Sequence, residues 1–514
     1  MSKRPSFILF MTDQHRADFL GCTGHPVLKT PNIDALAATG TLWDRFYVAS
    51  PVCMPNRASF MTCRMPSSHG VRANGIPLDR RNVTFVELLR DAGYKTALIG
   101  KSHLQTFSGQ PSTLKSPETR AGFHRATGPL SEAIRHDHET YLAEYPNQET
   151  YNTPLPFYGF DHVELVTQHG DRCRGHYREW LLAKDPNADR LIGAQNQLPH
   201  DYVCPQAVRT AVPEELYSTS YIAERASAWL AEHGSDEQPY FLMVSFPDPH
   251  HPFNPPGRYW DMYDPADMAL PGGFGTNDWV PPPHVASVLE DREAGRANPS
   301  SFAVLSAYPQ EVREARALTC GMISMIDDAV GCIRAQKAAE NAVTVFTTDH
   351  GDHLGDHRML FKGPAAYEEL TRVPFIWSDP EDTGSCRTDV IGQTHDIGTT
   401  ILERARVEPA IGMQGRSLLS GGRDAAFIQY EHQKVNRGLG VSPRIHTVRT
   451  QDWRLSMFEG IAWGELYHLK EDPNELQNLW DSPDHAGQKA ELIETLARLE
   501  IANIDRVPLP TAQA

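Results

Sequence analysis

The sequence contains no apolar segment long enough to cross a membrane and no closely paired cysteines. Nowhere in its 514 residues does an uninterrupted apolar run approach the length of a transmembrane helix. The apolar run at residues 7–11 is too short for the core of a secretory signal, so we expect a cytoplasmic protein. The eight cysteines lie far apart, which disfavours a zinc site or a disulfide framework and predicts mostly buried, reduced thiols.

Positive charge is also scarce. Lysine and arginine together number 48 and aspartate and glutamate 65, which gives a formal net charge of -17 at pH 7. The acidic residues are spread along the chain, so we expect neither nucleic acid nor an anionic membrane as a partner, and an anionic substrate needs a locally basic pocket. A hydrophobic content of 40% and a charged content of 22% exclude a wholly disordered or fibrous chain. The sequence leaves the oligomeric state open, a homo-oligomer included.

Strand-like and helix-like segments alternate along most of the chain. Apolar strands are predicted at residues 7–11, 42–48, 95–99, 240–246 and 342–347, and helices at residues 32–39, 57–62, 84–92, 213–233 and 310–339. This alternation predicts the α/β class, with a large, mostly parallel sheet flanked by helices. Residues 106–213, which are rich in proline, histidine, tyrosine and charge, and residues 255–309 are predicted to be loops that carry substrate specificity.

The end of the chain has a different pattern. Short strand-like segments at residues 426–430, 446–450, 454–458 and 465–469 precede a predicted helix near residues 486–502. This order predicts a small antiparallel sheet with one helix. We therefore divide the chain into a large α/β domain at residues 1–422 and a small C-terminal α+β subdomain at residues 423–514.

Polar residues follow two of the predicted strands. Asp13 and Gln14 come directly after the first strand, and Asp349 and His350 come after the strand at residues 342–347. The carboxyl ends of parallel strands share one edge of a sheet, where binding sites are common. Taken one by one, these residues are equally compatible with helix caps or with surface positions.

The segment Cys53-Met54-Pro55-Asn56-Arg57-Ala58-Ser59 resembles the C-x-P-x-R-A-S signature of the sulfatase family. A cysteine before a helix, with a proline in the first turn, is also ordinary folding chemistry. The resemblance, however, extends over nearly the whole chain and includes the C-terminal segment at residues 464–475. It implies the fold of the alkaline phosphatase superfamily. Within that superfamily, it places the chain near the arylsulfatases and phosphonate monoester hydrolases.

In the family that this motif resembles, a formylglycine-generating enzyme oxidises the cysteine to an aldehyde, which implies the same for Cys53. The hydrated aldehyde has two hydroxyls on one carbon, so one can attack sulfur and the other can later lose its proton and expel sulfate. A helix N-terminus at this position would direct backbone N–H groups at the anionic substrate. Arg57, one turn further on, would brace the nucleophile and balance its charge.

The resemblance also implies a metal site. It assigns Asp13, Gln14, Asp349 and His350, together with residue 53, as ligands of one divalent ion. The commonest family pattern has Asp and Asn where this chain has Gln14 and His350. Because an imidazole and two carboxylates suit calcium less well than manganese, we expect Mn²⁺ first and Ca²⁺ next.

Four basic residues and one amide complete the site that the resemblance implies. Lys101 and His103 stand in a G-K-x-H element, where the lysine binds the ester oxygens and the histidine assists breakdown of the intermediate. His250 matches a histidine that contacts the sulfate and protonates the leaving group, with its neighbour His251 as a rival. The remaining two are Lys362, which neutralises the anionic group, and Asn74, which lies near that group in some relatives.

The expected function is therefore hydrolysis of small sulfate monoesters, as in arylsulfatases, through a covalent sulfated enzyme. The nearest alternative is a phosphonate monoester or phosphodiester hydrolase of the same superfamily. A non-catalytic binder of sulfated ligands and a metal-dependent phosphatase or mutase with unmodified Cys53 are more remote. The sequence does not identify the alcohol half of the substrate.

Overall fold

The computed structural model describes residues 4–106, 155–234, 237–276, 279–382 and 384–510. Its strands are β1 (Phe7–Thr12), β2 (Thr41–Trp43), β3 (Phe46–Tyr47), β4 (Lys95–Gly100), β5 (His162–Thr167), β6 (Arg174–Gly175), β7 (Tyr240–Ser245), β8 (Leu305–Ser306), β9 (Val343–Thr348), β10 (Met359–Leu360), β11 (Phe375–Ser378), β12 (Cys386–Thr388), β13 (Gly392–Gln393), β14 (Ala426–Glu431), β15 (Arg444–Arg449), β16 (Trp453–Phe458) and β17 (Gly464–His468). Its helices are α1 (Pro31–Thr39), α2 (Cys53–Thr62), α3 (Pro66–His69), α4 (Phe85–Asp91), α5 (His176–Lys184), α6 (Ser218–His233), α7 (Pro283–Glu293), α8 (Pro309–Arg334), α9 (Glu368–Thr371), α10 (Asp396–Ala405) and α11 (Ala486–Ala502).

A nine-stranded sheet forms the centre of the molecule, in the order β12-β2-β11-β9-β1-β7-β4-β5-β6. The five central strands, from β9 to β5, run parallel. Antiparallel pairs occur toward both edges, where β11 pairs with β9 and with β2, and β6 pairs with β5. The predicted mixed, mostly parallel sheet is confirmed.

Strand β1 is buried on both faces, as expected for the middle of a parallel sheet. Its alternate side chains enter two different cores. Phe7 and Leu9 pack with residues of α2, α4 and α10, whereas Ile8 and Phe10 pack with residues of α1, α6 and α8. The sheet is therefore covered by helices on both sides, and only its strand ends are accessible to a substrate.

The four C-terminal strands form an antiparallel sheet in the order β14-β15-β16-β17, with α11 packed against it. This confirms the predicted small sheet with a helix. Tyr367 of the large domain donates a hydrogen bond to Glu465 in β17, at 3.2 Å. The division of the chain at residue 422 remains a prediction.

Several local predictions differ from the structure. In the predicted loop region 106–213, residues 107–154 lie outside the described residues, and the remainder contains β5, β6 and α5. The second predicted loop region contains α7, and the strand predicted at residues 42–48 is divided into β2 and β3. All eight cysteines are free thiols, five of them buried. No helix in the described part of the chain combines the length and the apolar character that a membrane span requires.

Candidate active site

The site lies where β1 and β9 end side by side. Thr12 and Thr348 are the last paired residues of these two parallel strands, so Asp13 and Asp349 follow at the same level of the sheet. The backbone N–H of Gln14 donates to Asp349 Oδ1 at 3.1 Å, and Gln14 takes a left-handed φ of 60°. This turn brings the carboxylates of Asp13 and Asp349 together at the ends of β1 and β9.

Four buried side chains converge here: Asp13, Cys53, Asp349 and His350. Their potential ligand atoms all lie within 4.8 Å of one another. His350 Nδ1 donates to the carbonyl of Gly351 at 2.9 Å, which leaves the lone pair of Nε2 facing the other three residues. A metal-bound histidine typically has such a carbonyl partner on its second nitrogen, so this donor set fits a divalent ion. Burial alone would lower the pKa of His350, but Asp349 and Cys53 raise it overall, so a cation is favoured at this position.

Cys53 is the first residue of α2, four residues before the predicted start of that helix. Its Sγ lies 3.0 Å from His350 Nε2 and 3.9 Å from Asp13 Oδ1. In a formylglycine enzyme, Sγ marks the place of the hydroxyl oxygens of the hydrated aldehyde. Burial and Asp13 raise the pKa of the thiol, but Lys362, His350 and Lys101 lower it, and the net shift is downward. The surroundings of residue 53 therefore favour negative charge.

Arg57 connects the carboxylates behind the cysteine. Its Nε donates to Asp349 Oδ2 at 2.7 Å, and its Nη2 lies 3.3 Å from Asp13 Oδ2. Nη1 donates to the carbonyl of Lys101 and to Ser245 Oγ, both at 2.9 Å. With these contacts the guanidinium neutralises and orients the carboxylates, and it is buried among them.

The side chain of Gln14 lies beside the four-residue cluster. Its Oε1 accepts a hydrogen bond from Lys362 at 2.7 Å, and its Nε2 donates to His251 Nδ1 at 3.0 Å and to Asp352. The predicted role of Gln14 as a ligand stays a prediction, and the structure shows it as the bridge between Lys362 and the strand end.

The two predicted lysines each contact a histidine. Lys101 Nζ donates to Asp13 and, at 2.7 Å, to His169 Nε2. Lys362 Nζ donates to His250 Nε2 at 2.9 Å. The rings of His169 and His250 stack with centroids 3.7 Å apart and planes 11° from parallel. Asp13, His169 and His250 also have metal-compatible spacing, but the Lys101 ammonium already supplies the cation between Asp13 and His169.

The hydrogen bonds define the tautomers of the two neighbouring histidines. His250 Nδ1 donates to the carbonyl of His251 at 2.6 Å, so its Nε2 accepts from Lys362 and carries no proton. His251 accepts from Gln14 at Nδ1, so its proton is on Nε2, and this buried atom has no hydrogen-bond partner among the described residues. His251, and not His250, therefore has an N–H group available for a substrate.

The other two predicted residues take different positions. His103 is half-buried, and its pKa is well below the ordinary range because of burial first and then the charges of Lys101 and Arg57. Asn74 Oδ1 accepts from the backbone N–H of Met54 at 3.0 Å. Asn74 thus satisfies one of the unpaired amides in the first turn of α2.

Sequence reasoning missed His169, Ser245 and Asp352. His169 is two residues after the end of β5, in the region that was predicted to be loop. The strand-end argument that found Asp13 would have indicated His169 if β5 had been recognised.

A second buried group, His353, His357 and Glu369, also has metal-compatible spacing. Both Nδ1 atoms lie at hydrogen-bond distance from Glu369 Oε1, 2.7 and 3.0 Å, and both Nε2 atoms face backbone carbonyls. By contrast, His350 Nε2 stands 3.6 and 3.8 Å from its carboxylates. Burial lowers the pKa of His357, but Glu369 raises it to about 9, so this group is a hydrogen-bonded ion cluster that supports the loop before Lys362.

The chain belongs to the sulfatase family. The family model described as Sulfatase matches residues 5–407, and a second model, N-sulphoglucosamine sulphohydrolase, C-terminal, matches residues 355–502. Members of this family hydrolyse sulfate esters and generally use a metal ion and formylglycine, so the predicted family is confirmed and the chain is a sulfuric ester hydrolase.

Particular relatives cover nearly the full length. The chain is 26% identical to an arylsulfatase of Clostridium perfringens over 518 residues, which is 98% of this chain and 95% of the relative. It is 26% identical over 534 residues to the multifunctional alkaline phosphatase superfamily protein PehA of Trinickia caryophylli, covering 98% and 96%. The crystal structure of the phosphonate monoester hydrolase of Agrobacterium radiobacter superposes with a TM-score of 0.75 at 24% identity and covers 98% of this chain and 97% of that one, which confirms the fold.

Proposed function

We propose that this sulfatase cleaves sulfate monoesters with a formylglycine nucleophile made from Cys53 by a formylglycine-generating enzyme. One observation carries the proposal. Cys53 begins α2 inside the cluster of Asp13, Asp349 and His350, and its pKa is lowered by the cations around it. Residue 53 therefore lies at the positive end of α2, among the candidate metal ligands, and within the electrostatic influence of Lys101 and Lys362.

The chemistry at residue 53 needs two hydroxyls on one carbon. One hydroxyl oxygen of the hydrated aldehyde forms a bond to sulfur while the bond from sulfur to the alcohol oxygen breaks, and the alcohol leaves with a proton. The second hydroxyl then loses its proton, its C–O bond becomes the aldehyde, and sulfate departs with the electrons of the other C–O bond. Water adds to the aldehyde to restore the hydrate.

Asp13, Asp349 and His350 would hold one divalent ion, with Gln14 and residue 53 completing the set. When bound, such an ion lowers the pKa of an attacking hydroxyl and polarises a sulfuryl oxygen. Two carboxylates and one imidazole support Mn²⁺ before Ca²⁺. Arg57 keeps both carboxylates in place through its hydrogen bonds to Asp13 and Asp349.

The remaining residues act on the transferred group and on protons. Lys101 and Lys362 would stabilise the negative charge on the sulfuryl oxygens. His103, whose lowered pKa keeps it neutral, would take the proton from the second hydroxyl. The sequence assigned the leaving oxygen to His250, but both nitrogens of His250 are engaged, so His251, whose Nε2–H has no partner among the described residues, would donate to that oxygen. Asn74 supports α2 at the residue next to the nucleophile.

The test is mass spectrometry of the peptide that carries residue 53, from protein produced together with a formylglycine-generating enzyme. We expect an aldehyde at position 53 and turnover of 4-nitrophenyl sulfate, and we expect Cys53→Ala to be folded and inactive. Cys332→Ala, an exposed cysteine, is the matched control and should keep full activity. Full activity in Cys53→Ala would show that residue 53 is not the nucleophile, and absence of the aldehyde in active protein would refute formylglycine.

The second candidate is hydrolysis of phosphonate monoesters. It is suggested by the fold that this chain shares with the phosphonate monoester hydrolase of Agrobacterium radiobacter. Comparing an aryl sulfate with an aryl phosphonate monoester on one preparation distinguishes the two, and a higher kcat/KM for the phosphonate would overturn the proposal that sulfate monoesters are the preferred substrates. A non-catalytic binder would turn over neither ester.

A further inference from the structure

The contacts of the site trace a path from its buried end to solvent. Asp13 and Lys101 are fully buried, and the Lys101 ammonium donates hydrogen bonds to Asp13 and to the half-buried His169. The ring of His169 lies 6.1 Å from that of Phe302, which is 52% exposed. These contacts therefore lead from the buried Asp13 carboxylate through Lys101 and His169 to Phe302 at the surface.

Phe302 belongs to a continuous aromatic surface, here called the aromatic wall. Its members are Phe302, His169, His250, His251 and Phe361. The ring of Phe302 lies 6.1 Å from His250 and 5.2 Å from His251, and His251 lies 3.8 Å from Phe361. The five residues present aromatic faces and imidazole nitrogens, and none of them has a carboxylate or an amide.

The pairing of β8 with β10 holds Phe302 and Lys362 at the same end of a two-stranded ribbon. Strands β8 and β10 pair antiparallel, with Leu305 opposite Leu360. Phe302 stands three residues before Leu305 and Lys362 two residues after Leu360, so both leave the ribbon at the same end. Gln206 Nε2 donates to the carbonyls of Pro299 and Ser301, both at 3.3 Å, which fixes the loop that carries Phe302.

We propose that Phe302 forms the leaving-group subsite and selects sulfate esters of flat aromatic alcohols. This inference rests on the proposed sulfatase chemistry. If Lys101 and Lys362 hold the transferred group, the alcohol half of the ester extends toward the surface along the aromatic wall, where it meets the ring of Phe302. An aryl group would stack on this ring and bury its exposed half. A sugar would need several polar partners for its hydroxyls, and the aromatic wall offers only imidazole nitrogens.

The unpaired N–H of His251 supports the same orientation. Its Nε2 is buried in the aromatic wall without a hydrogen-bond partner among the described residues. A buried donor left unpaired is costly, and the bridging oxygen of an aryl ester near the wall would satisfy it.

The experiment measures kcat/KM for two activated esters, phenyl sulfate and hexafluoroisopropyl sulfate, whose alcohols have comparable acidity but differ in aromatic character. We expect Phe302→Ala to lower kcat/KM for phenyl sulfate by roughly 10- to 30-fold, the size expected when ring stacking and apolar burial are lost together. The value for the fluoroalkyl ester should change by less than about threefold, because its alcohol has no ring to stack. Phe302→Tyr should keep the preference, and Phe302→Leu should lose it although it fills similar space.

Ile501→Ala in the last turn of α11, an apolar residue that is 70% exposed, is the matched control and should affect neither ester. Thermal unfolding shows whether a variant is folded, and the Tyr and Leu variants keep the test decisive if the Ala variant is unstable. Equal losses on both esters, or none on either, would overturn the aromatic subsite. If the parent enzyme with aldehyde at position 53 turns over neither ester, the sulfatase proposal itself fails.

Discussion

Lys101→Met is the most informative single substitution, because it removes one charge and keeps the length of the side chain. Lys101 is fully buried at the end of β4, and its ammonium donates to Asp13 and His169. The change therefore acts on two things: the charge that faces the transferred sulfuryl group and the pairing of the Asp13 carboxylate.

The two effects have different expected sizes. A preorganised charge on the transferred group contributes about 3 kcal/mol to transition-state binding, which is roughly 150-fold in kcat/KM. Removing one partner of a buried ion pair costs about 3 to 5 kcal/mol of stability. Because Arg57 still lies 3.3 Å from Asp13 Oδ2, we expect a loss at the low end, about 3 kcal/mol or less.

The assay is kcat/KM on an aryl sulfate, together with the metal content, the aldehyde content at residue 53 and the free energy of unfolding. Lys184→Met, on α5 and 51% exposed, is the control for loss of a lysine charge and should leave all four unchanged. If Lys101→Met keeps metal and aldehyde but stays within about threefold of the parent, direct charge stabilisation of that size is refuted. If activity and metal are lost together, Lys101 acts by holding Asp13.

Three further predictions follow from the contacts. His350→Ala should lose metal and activity together, with a smaller loss of stability, and full metal occupancy in that variant would remove His350 from the ligand set. His251→Ala should hardly affect activated aryl esters and should strongly impair esters of poor leaving groups, measured over a leaving-group series, because its Nε2–H is the available proton. A uniform loss would make His251 a binding residue, and a steep series for His250→Ala would return the proton-donor role to that neighbour. Burial, then Arg64, lowers the pKa of His69 from 6.5 to about 3, so the stability that neutral His69 provides is complete above pH 6.5 and is lost on acidification. Unfolding titrations should show a slope of up to about 1.4 kcal/mol per pH unit from this residue, and His69→Gln should reduce that slope.

The buried strands, and the meeting of Asp13, Asp349 and His350 at their ends, could be predicted because the local sequence pattern matches the tertiary role. Strands β1 and β9 are buried on both faces, and the change to Asp13 and Asp349 marks the point where each strand ends. Strand β5 shows why other parts could not. It contains Glu164, whose carboxylate accepts hydrogen bonds from Tyr221 at 2.6 Å and from Arg225. These partners lie far along the chain, so the sequence pattern of β5 does not reveal that a charged residue is satisfied inside a sheet.

The start of α2 was misplaced for a local reason. The prediction began the helix after Pro55, whereas the helix begins at Cys53 and Pro55 occupies its first turn. Proline is tolerated there because the first amides of a helix have no partner within the helix. The consequence concerns the site, because the earlier start makes residue 53 part of the positive end of α2.

The balance of charge explains how a strongly acidic protein can bind an anionic ester. The Asp13 and Asp349 carboxylates are paired with Arg57 and Lys101, all buried together. Burial also raises the pKa of Asp352, and it raises the pKa of the nearby Asp248 to about 7, so both shift toward the neutral form. The charge of a bound divalent ion and that of Lys362 would then be left to face the substrate. Since these charges are buried or half-buried, added salt should weaken substrate binding much less than it weakens a surface contact, and a steep dependence of KM on ionic strength would contradict this arrangement.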